Sequence, residues 1–215
     1  MLRDHRCHGL RGESRLKPNL ILLAGLPASG KSCFSKYASK ELSFPVIAKD
    51  EIKEHLFDTL GFKSYEEKTA LDIAASNIMM YCAARILEAG GSVILDNNFE
   101  DRNMDNLKKL VAGHPCNVVT VRFNCDLEEA YRRFVKRDKD PSRHPGHVLN
   151  TCYPPVEGVE DESVHMTMEK YAEKYRRRGT MVFSFGKLLE VDATDFNNIS
   201  YIEIMQKLET MLVRD

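Results

Sequence analysis

Apolar residues fall into two patterns along the chain, short continuous runs and longer segments with helical spacing. The continuous runs lack polar alternation, which is typical of parallel strands covered on both faces. They lie at 20–24, 45–48, 92–95, 117–123 and 188–191. The intervening segments predict helices. These lie at 31–42, 51–58, 66–89, 126–136, 163–178 and 199–213. The alternation predicts an α/β fold with a doubly wound parallel five-stranded sheet flanked by helices.

Composition is that of a soluble globular protein. The 215 residues carry 31 Lys and Arg against 32 Asp and Glu, for a net charge of -1. A nucleic-acid coat or a membrane-surface protein usually has a large basic excess, so the charge argues against both classes and still allows a local basic site. No continuous apolar run approaches 18 residues, and we expect no membrane association.

Three further features concern the organisation of the chain. Residues 1–18 are rich in arginine and poor in apolar residues, so we expect a flexible lead-in followed by one domain over 19–215. The six cysteines form no CxxC pair, which predicts reduced thiols and a cytoplasmic protein. Residues 138–160 are rich in Pro, Gly and His, which predicts a long functional loop.

A phosphate-binding motif follows the first predicted strand. Residues 25–32 read GLPASGKS, which matches GxxxxGK[ST] and predicts a P-loop NTPase fold. Glycines allow the backbone to curl, so that successive N–H groups and the helix dipole hold phosphate oxygens. We expect Lys31 to contact the β- and γ-phosphates and the Ser32 hydroxyl to bind Mg²⁺. The predicted nucleotide-binding residues here are Gly25, Leu26, Pro27, Ala28, Ser29, Gly30, Lys31, Ser32 and Cys33.

Polar residues follow the next two strands, at the edge of the sheet where α/β proteins bind ligands. Asp50 either takes the proton of an acceptor hydroxyl or caps the helix that follows it. Lys53 is either a contact to a substrate oxyanion or a solvated lysine. Asp96 either holds the water shell of magnesium or forms a turn. Asn98 and Arg102, the latter on the next predicted helix, extend the candidate acceptor site.

A basic helix end leads into the Pro-, Gly- and His-rich loop. Arg133 and Arg137 are four residues apart, so they share one helix face and both reach one nucleotide. Arginines on a lid neutralise the charge that develops on a transferred phosphoryl group. We therefore expect an arginine-bearing lid over about 138–160, with Arg143 inside it. The alternative is a solvated basic helix end.

Four segments taken in order resemble P-loop kinases of the zeta-toxin, chloramphenicol phosphotransferase and polynucleotide 5′-kinase type. They are GLPASGKS (25–32), KDEIK (49–53), VILDNNF (93–99) and RRFVKR (132–137). The resemblance covers residues 20–212 and implies that Asp50 is the general base. In that group an arginine usually stands three residues later, where this chain has Lys53. Lysine lacks the planar fork with which arginine binds a phosphate in two places.

The lid entry is also similar to that of adenylate kinase. This similarity implies that Arg133 stacks on the adenine ring and that Arg137 contacts the β- and γ-phosphates. It also implies that Thr194, in the turn after the last strand, passes near the base. The arginines with which nucleoside monophosphate kinases recognise the acceptor phosphate have no clear counterpart in the sequence.

These expectations combine into an ATP- and Mg²⁺-dependent kinase that phosphorylates a hydroxyl of a small-molecule or nucleotide-like acceptor. The predicted catalytic residues are Lys31, Asp50 and Arg137, with Ser32 and Asp96 at the metal. The predicted acceptor-binding residues are Asp50, Lys53, Asn98, Arg102 and Arg143. Helices over about 52–90 form the acceptor pocket, and their tip at 60–65 offers aromatic rings to the acceptor. The alternatives are a nucleotide hydrolase or switch that controls a partner protein, and a polynucleotide 5′-hydroxyl kinase.

Overall fold

A five-stranded parallel sheet forms the centre of the molecule. The computed structural model describes residues 17–159 and 166–213, so the predicted lead-in lies almost entirely outside the described residues. The strands are β1 (Asn19–Gly25), β2 (Val46–Ala48), β3 (Val93–Asp96), β4 (Asn117–Asn124) and β5 (Lys187–Asp192). They lie in the order β2-β3-β1-β4-β5, and each pairing is parallel. The predicted fold class is confirmed.

Helices connect these strands and cover both faces of the sheet. Within the described residues they are α1 (Lys31–Leu42), α2 (Lys49–Leu60), α3 (Tyr65–Glu88), α4 (Met104–Gly113), α5 (Leu127–Asp138), α6 (Pro145–Val148), α7 (Met168–Arg177) and α8 (Tyr201–Met211). Short 3-10 turns occupy Asp101–Asn103 and Phe196–Asn198. Arg102, expected on a helix, lies in the first of these turns because Glu100 and Asn103 form a capping box there. The helix predicted over 163–178 begins only at Met168, where the Thr167 side chain caps it.

Two apolar layers enclose the sheet. On one face, Leu22 of β1 belongs to the same buried cluster as Met79 of α3. On the other face, Leu23 of β1 packs in a cluster with Phe34 of α1 and Leu208 of α8. Neighbouring residues of a strand point to opposite faces, so β1 is apolar at successive positions because both of its faces are covered.

The segment after α5 packs against α2 and the start of α3. Phe57 of α2 is fully buried, and its ring centre lies 5.2 Å from that of Phe62 and 6.3 Å from that of Tyr153. The backbones of Phe62 and Tyr153 pair in an isolated antiparallel bridge. Phe62 is therefore buried in this aromatic cluster, and the expectation that the tip at 60–65 offers this ring to an acceptor is wrong. From that tip, Tyr65 lines the cleft described below.

The helix α3 is the one helix of residues 17–159 and 166–213 that is long and apolar enough, by length and composition alone, to cross a membrane. Core helices of soluble proteins meet the same test. Here one side of α3, with Ala75, Met79, Ala83 and Leu87, is buried.

Candidate active site

Residues 25–32 form a tight loop between β1 and α1. Gly25 has a φ of 128°, and a Cβ at this position would lie 2.4 Å from the carbonyl oxygen of Phe123. Gly30 has a φ of 90° and precedes α1 as its N-cap. Both positions therefore require glycine. No side chain caps α1, so the first N–H groups of the helix face the loop without a side-chain acceptor, which is the arrangement that binds a phosphate.

Lys31 is buried beneath this loop. Its ammonium group donates hydrogen bonds to the carbonyl oxygens of Gly25 at 3.0 Å and Leu26 at 2.8 Å. Burial lowers the pKa of Lys31 to about 8, although the charges of Asp96 and Asp50 act in the opposite direction. At neutral pH the lysine still carries its charge, so it supplies a cation at the phosphate loop.

Ser32 and Asp96 meet at the ends of α1 and β3. The Ser32 side chain hydrogen-bonds Asp96, and the Ser35 hydroxyl donates to Asp96 Oδ2 at 3.2 Å. Burial raises the pKa of Asp96, while the charge of Lys31 opposes this rise. A hydroxyl and a carboxylate are oxygen donors of the kind that suit Mg²⁺, which takes few protein ligands and keeps its other positions for water and phosphate. The residues therefore fit magnesium at Ser32 and Asp96.

Asp50 lies in the first turn of α2. The helix begins at Lys49 with Ala48 as its N-cap, so the reading of Asp50 as the helix cap is wrong. The Asp50 side chain is 48% exposed, lines the cleft, and has Oδ1 3.8 Å from Lys53 Nζ. Burial acts to raise the pKa of Asp50, but the positive charges around it, led by Lys53, outweigh burial and lower the pKa to about 2. Asp50 is therefore ionised at neutral pH.

Asp72 of α3 anchors three cations at this end of the cleft. Its carboxylate lies 3.0 Å from Lys49 Nζ, 3.1 Å from Lys53 Nζ and 3.1 Å from Arg102 Nη2. Burial acts to raise the pKa of Asp72, but Lys49 and Lys53 hold it well below its usual range. The Lys53 side chain is only 14% exposed. Lys53 is thus a paired residue of the cleft, and the reading of it as a solvated lysine is wrong.

Arg137 and Arg143 come from the end of α5 and from the segment before α6. Arg137 Nη2 lies 3.5 Å and Arg143 Nε 3.9 Å from Asp138 Oδ1. In both arginines Nε is buried and has no hydrogen-bond partner within the described residues. Burial and the charge of Arg137 lower the pKa of Arg143. Two guanidinium groups that share one carboxylate keep an excess of positive charge and of donors, which suits an anionic ligand.

Arg133 and Thr194 meet beside the P-loop. Arg133 donates to the carbonyl oxygens of Ala193 at 2.7 Å and Thr194 at 2.6 Å, and its guanidinium lies 3.5 Å from the ring centre of Phe196. A Cβ at Gly30 would lie 3.3 Å from the same ring. The structure therefore brings the predicted adenine contacts to the P-loop, with Phe196 on one face of the guanidinium. Stacking of Arg133 on adenine stays a prediction, as does nucleotide contact by Cys33, which is exposed on α1.

A cleft of about 370 Å³ opens between the P-loop, α2, α3, α5 and α7. All five predicted acceptor residues line it, namely Asp50, Lys53, Asn98, Arg102 and Arg143. Arg102 is held from two sides, because its Nε donates to Glu100 at 2.5 Å and its Nη2 donates to Asp72. A volume of this order suits a small molecule. The structure brings these residues together, and their contacts with a ligand stay predictions.

Sequence reasoning missed part of this cleft. The missed lining residues include Asp72, Glu100, His147, Lys174 and Arg178. Arg178, the C-cap of α7, lies 3.4 Å from Glu100. The four-residue step from Lys174 to Arg178 is the same signal that singled out Arg133 and Arg137. No sequence signal marks Asp72, because its partners lie on other elements.

Comparisons with known proteins agree with this geometry. Residues 20–153, more than half of the chain, match the AAA_33 family model, described as AAA domain. Shikimate kinases of Clostridium botulinum, strains Loch Maree and ATCC 19397, are 27% identical over 128 residues, which cover 56% of this chain and 67% of those proteins.

Solved structures give the same result. A putative kinase from Chloroflexus aurantiacus is 28% identical and superposes with a TM-score of 0.75, over 92% of this chain and 100% of that one. A gluconokinase from Sinorhizobium meliloti, 14% identical with a TM-score of 0.51 over 92% and 93% of the two chains, shares the fold. The predicted enzyme class, an ATP-dependent phosphotransferase, is confirmed. The chain is thus a P-loop kinase that belongs to the AAA domain family.

Proposed function

We propose that the protein transfers the γ-phosphoryl group of ATP to a hydroxyl group of a small-molecule acceptor, with Mg²⁺ as its cofactor. The observation that carries the proposal is the proximity of an ionised carboxylate to a set of phosphate-binding cations. Asp50, Asp96 and Arg137 lie close enough to Lys31 for their charges to shift its pKa. Asp50 also lines the same cleft as Arg137 and Arg143. A reacting phosphoryl group between them would have a base on one side and cations on the other.

Each residue of the site has a separate role in the phosphoryl transfer. Lys31 and the backbone of 25–30 hold the β- and γ-phosphates, and Arg137 with Arg143 neutralises charge on the γ-phosphoryl oxygens. Ser32 and Asp96 would hold the magnesium ion, which would supply positive charge to the phosphates. The acceptor oxygen forms a bond to the γ-phosphorus as the bond from that phosphorus to the β–γ bridging oxygen breaks. ADP leaves with that electron pair, and the acceptor proton passes to the Asp50 carboxylate.

The chemistry of a carboxylate bears on when that proton moves. An ionised carboxylate is a weak base towards an alcohol, so Asp50 orients the hydroxyl first. The transition state of phosphoryl transfer is loose and requires little charge on the attacking oxygen. The proton therefore passes to Asp50 late, after formation of the new oxygen–phosphorus bond has made the acceptor hydroxyl more acidic.

A small acceptor is supported by the size of the cleft and by the curated relatives that are named shikimate kinase. The narrower resemblance to the zeta-toxin, chloramphenicol phosphotransferase and polynucleotide 5′-kinase group is part of this proposal, because Asp50 occupies the position of the base in that group. We also place the reaction in the cytoplasm, where free thiols are stable, since Cys33, Cys82, Cys116, Cys125 and Cys152 are all free.

The test is phosphoryl transfer by an Asp50→Asn variant. Purified protein is assayed for ADP release and for a phosphorylated product against a panel of hydroxyl compounds. Asp50→Asn lowers kcat by roughly 10²- to 10⁴-fold, while the affinity for ATP stays within about threefold of wild type. Glu51→Gln is the matched control, because Glu51 is the next residue of the same helix turn and is exposed.

Two results would contradict the proposal. ADP release that no hydroxyl compound accelerates, with phosphate as the sole product, would identify a hydrolase or switch. A loss of ATP affinity in Asp50→Asn that exceeds the loss in kcat would show that Asp50 supports the nucleotide or metal, and the base would have to be sought elsewhere.

A further inference from the structure

The part of the cleft lining that α2, α3, the turn at 101–103 and α7 form carries more positive than negative charge. The cations there are Lys49, Lys53, Lys68, Arg102, Lys174 and Arg178. The carboxylates among the described lining residues of this part are Asp72, Glu100 and the ionised Asp50. Six cations against three anions leave an excess of about three positive charges. These charges are separate from Lys31, Arg137 and Arg143, which the triphosphate engages in the proposed reaction.

Ion pairs satisfy most of these cations. Asp72 pairs with Lys49, Lys53 and Arg102, and Glu100 pairs with Arg102 and Arg178. Lys174 of α7 differs from them. Its side chain is half-buried and lines the cleft. Its ammonium group lies 5.4 Å from the ring centre of Tyr175 and makes no hydrogen bond or ion pair within residues 17–159 and 166–213. Burial lowers the pKa of Lys174, and the charge of Arg178 adds to this effect.

The Lys174 ammonium carries its donors at the cleft lining, and the charge of Arg178 acts on it. Ion pairs hold the neighbouring Arg102 and Arg178 in place, so these cations keep their positions around the cleft. An anionic group in the cleft would accept those hydrogen bonds and offset the charge excess.

We propose that the acceptor is an anion, a hydroxyl compound whose carboxylate or phosphate group binds Lys174 together with Arg178 and Arg102, while its hydroxyl lies at Asp50. This inference rests on the proposed kinase function and adds the acceptor class to it. Lys174 selects between charged and neutral acceptors, and it takes no part in binding ATP.

The first experiment compares acceptors that share one carbon skeleton. Polyols or sugars are assayed for ADP release beside the corresponding hydroxy acids and sugar phosphates. The expected result is turnover with charged members only, and the preferred anion distinguishes a carboxylate from a phosphate. Lys174→Gln raises the KM of the charged acceptor by about ten- to a hundredfold and leaves kcat and the KM of ATP unchanged, because a hydrogen bond to a charged group is lost. Lys170→Gln, exposed on the same helix, behaves as wild type.

The second experiment needs no turnover. Calorimetry on protein saturated with magnesium and a non-hydrolysable ATP analogue measures binding of inorganic phosphate and, separately, of acetate. Wild type and Lys170→Gln bind at least one of these anions, and Lys174→Gln binds it at least fivefold more weakly. Equal turnover of neutral and charged acceptors, or equal anion binding by Lys174→Gln, overturns the acceptor class and leaves the kinase proposal standing. Anion binding at Lys174 without transfer to any hydroxyl compound overturns the kinase proposal instead.

Discussion

Gly146 is the position where a single methyl group should disturb the active site without touching a reacting residue. A Cβ at Gly146 would lie 2.4 Å from Cδ2 and 2.9 Å from Cγ of Phe57. Carbon atoms pack at about 3.5–4.0 Å, so Gly146→Ala requires a displacement of roughly 1 Å or more. The Phe57 ring is fully buried among other rings and has no room to retreat. The displacement therefore falls on α6.

The magnitude follows from this geometry. Overpacking of a rigid buried contact costs about 1–3 kcal/mol. For a protein of this size each kcal/mol corresponds to about 2–4 °C in Tm, so Gly146→Ala should lower Tm by roughly 2–12 °C. Moving α6 also moves Arg143, two residues before its start, and His147 within it. A misplacement of about 1 Å at an active site lowers kcat by roughly a hundredfold, so we expect a fall of about 10- to 100-fold.

Thermal unfolding and ADP release measure the two effects. Gly113→Ala serves as the control, because a Cβ at Gly113, the last residue of α4, meets no atom within 4 Å. The control should keep the Tm and kcat of wild type or gain slightly in stability. A Gly146→Ala protein with the control's Tm would refute the packing argument. A lower Tm with unchanged kcat would refute the claim that α6 sets the position of Arg143.

Three more predictions follow from the charges and rings of the site. Lys31→Ala should abolish turnover. In wild type, kcat/KM for ATP should fall as pH rises through about 8, because the buried Lys31 ammonium loses its proton there. A flat profile of kcat/KM from pH 7 to 9.5 would contradict this. Asp72→Asn should lower the free energy of unfolding, measured in urea, by about 1–3 kcal/mol, because it leaves Lys49 and Lys53 less well paired. As a control, Glu88→Gln breaks an exposed ion pair with Arg85 and should change that free energy by less than about 0.5 kcal/mol. Phe196→Ala should raise the KM of ATP about two- to fivefold at constant kcat, because it removes a partly exposed cation–π contact with Arg133. An unchanged KM would show that Phe196 does not support the nucleotide site.

The sheet and the P-loop were predictable because both depend on local sequence. A buried strand such as β1 needs a continuous apolar run, and the loop after it needs glycine at 25 and 30 for reasons of backbone conformation. The positions of Asp50 and Asp96 were predictable for a related reason, although their roles stay predictions. Asp50 comes just after β2 and Asp96 ends β3, and the carboxyl ends of parallel strands meet at one edge of the sheet.

The electrostatic partners were not predictable in this way. Asp72 sits on the middle of α3 and acts on residues of α2 and of the turn at 101–103, so its role depends on how these elements pack. The burial of Phe62 likewise depends on how distant segments of the chain pack together. An aromatic residue at a loop tip is expected to be available to ligands, but the backbone bridge to Tyr153, far along the chain, buries it.

The attachment of residues 144–153 bears on the entropy of binding. His144 contacts Asp58 at 3.0 Å, His147 contacts Glu54 at 2.7 Å, and the Lys68 ammonium donates to the carbonyl oxygens of His147 and Leu149. A surface segment of this length normally loses conformational freedom when a substrate orders it, which weakens binding. Because protein contacts already restrain this segment, the acceptor meets a wall that is largely preorganised, and little of its interaction energy is spent on ordering the chain.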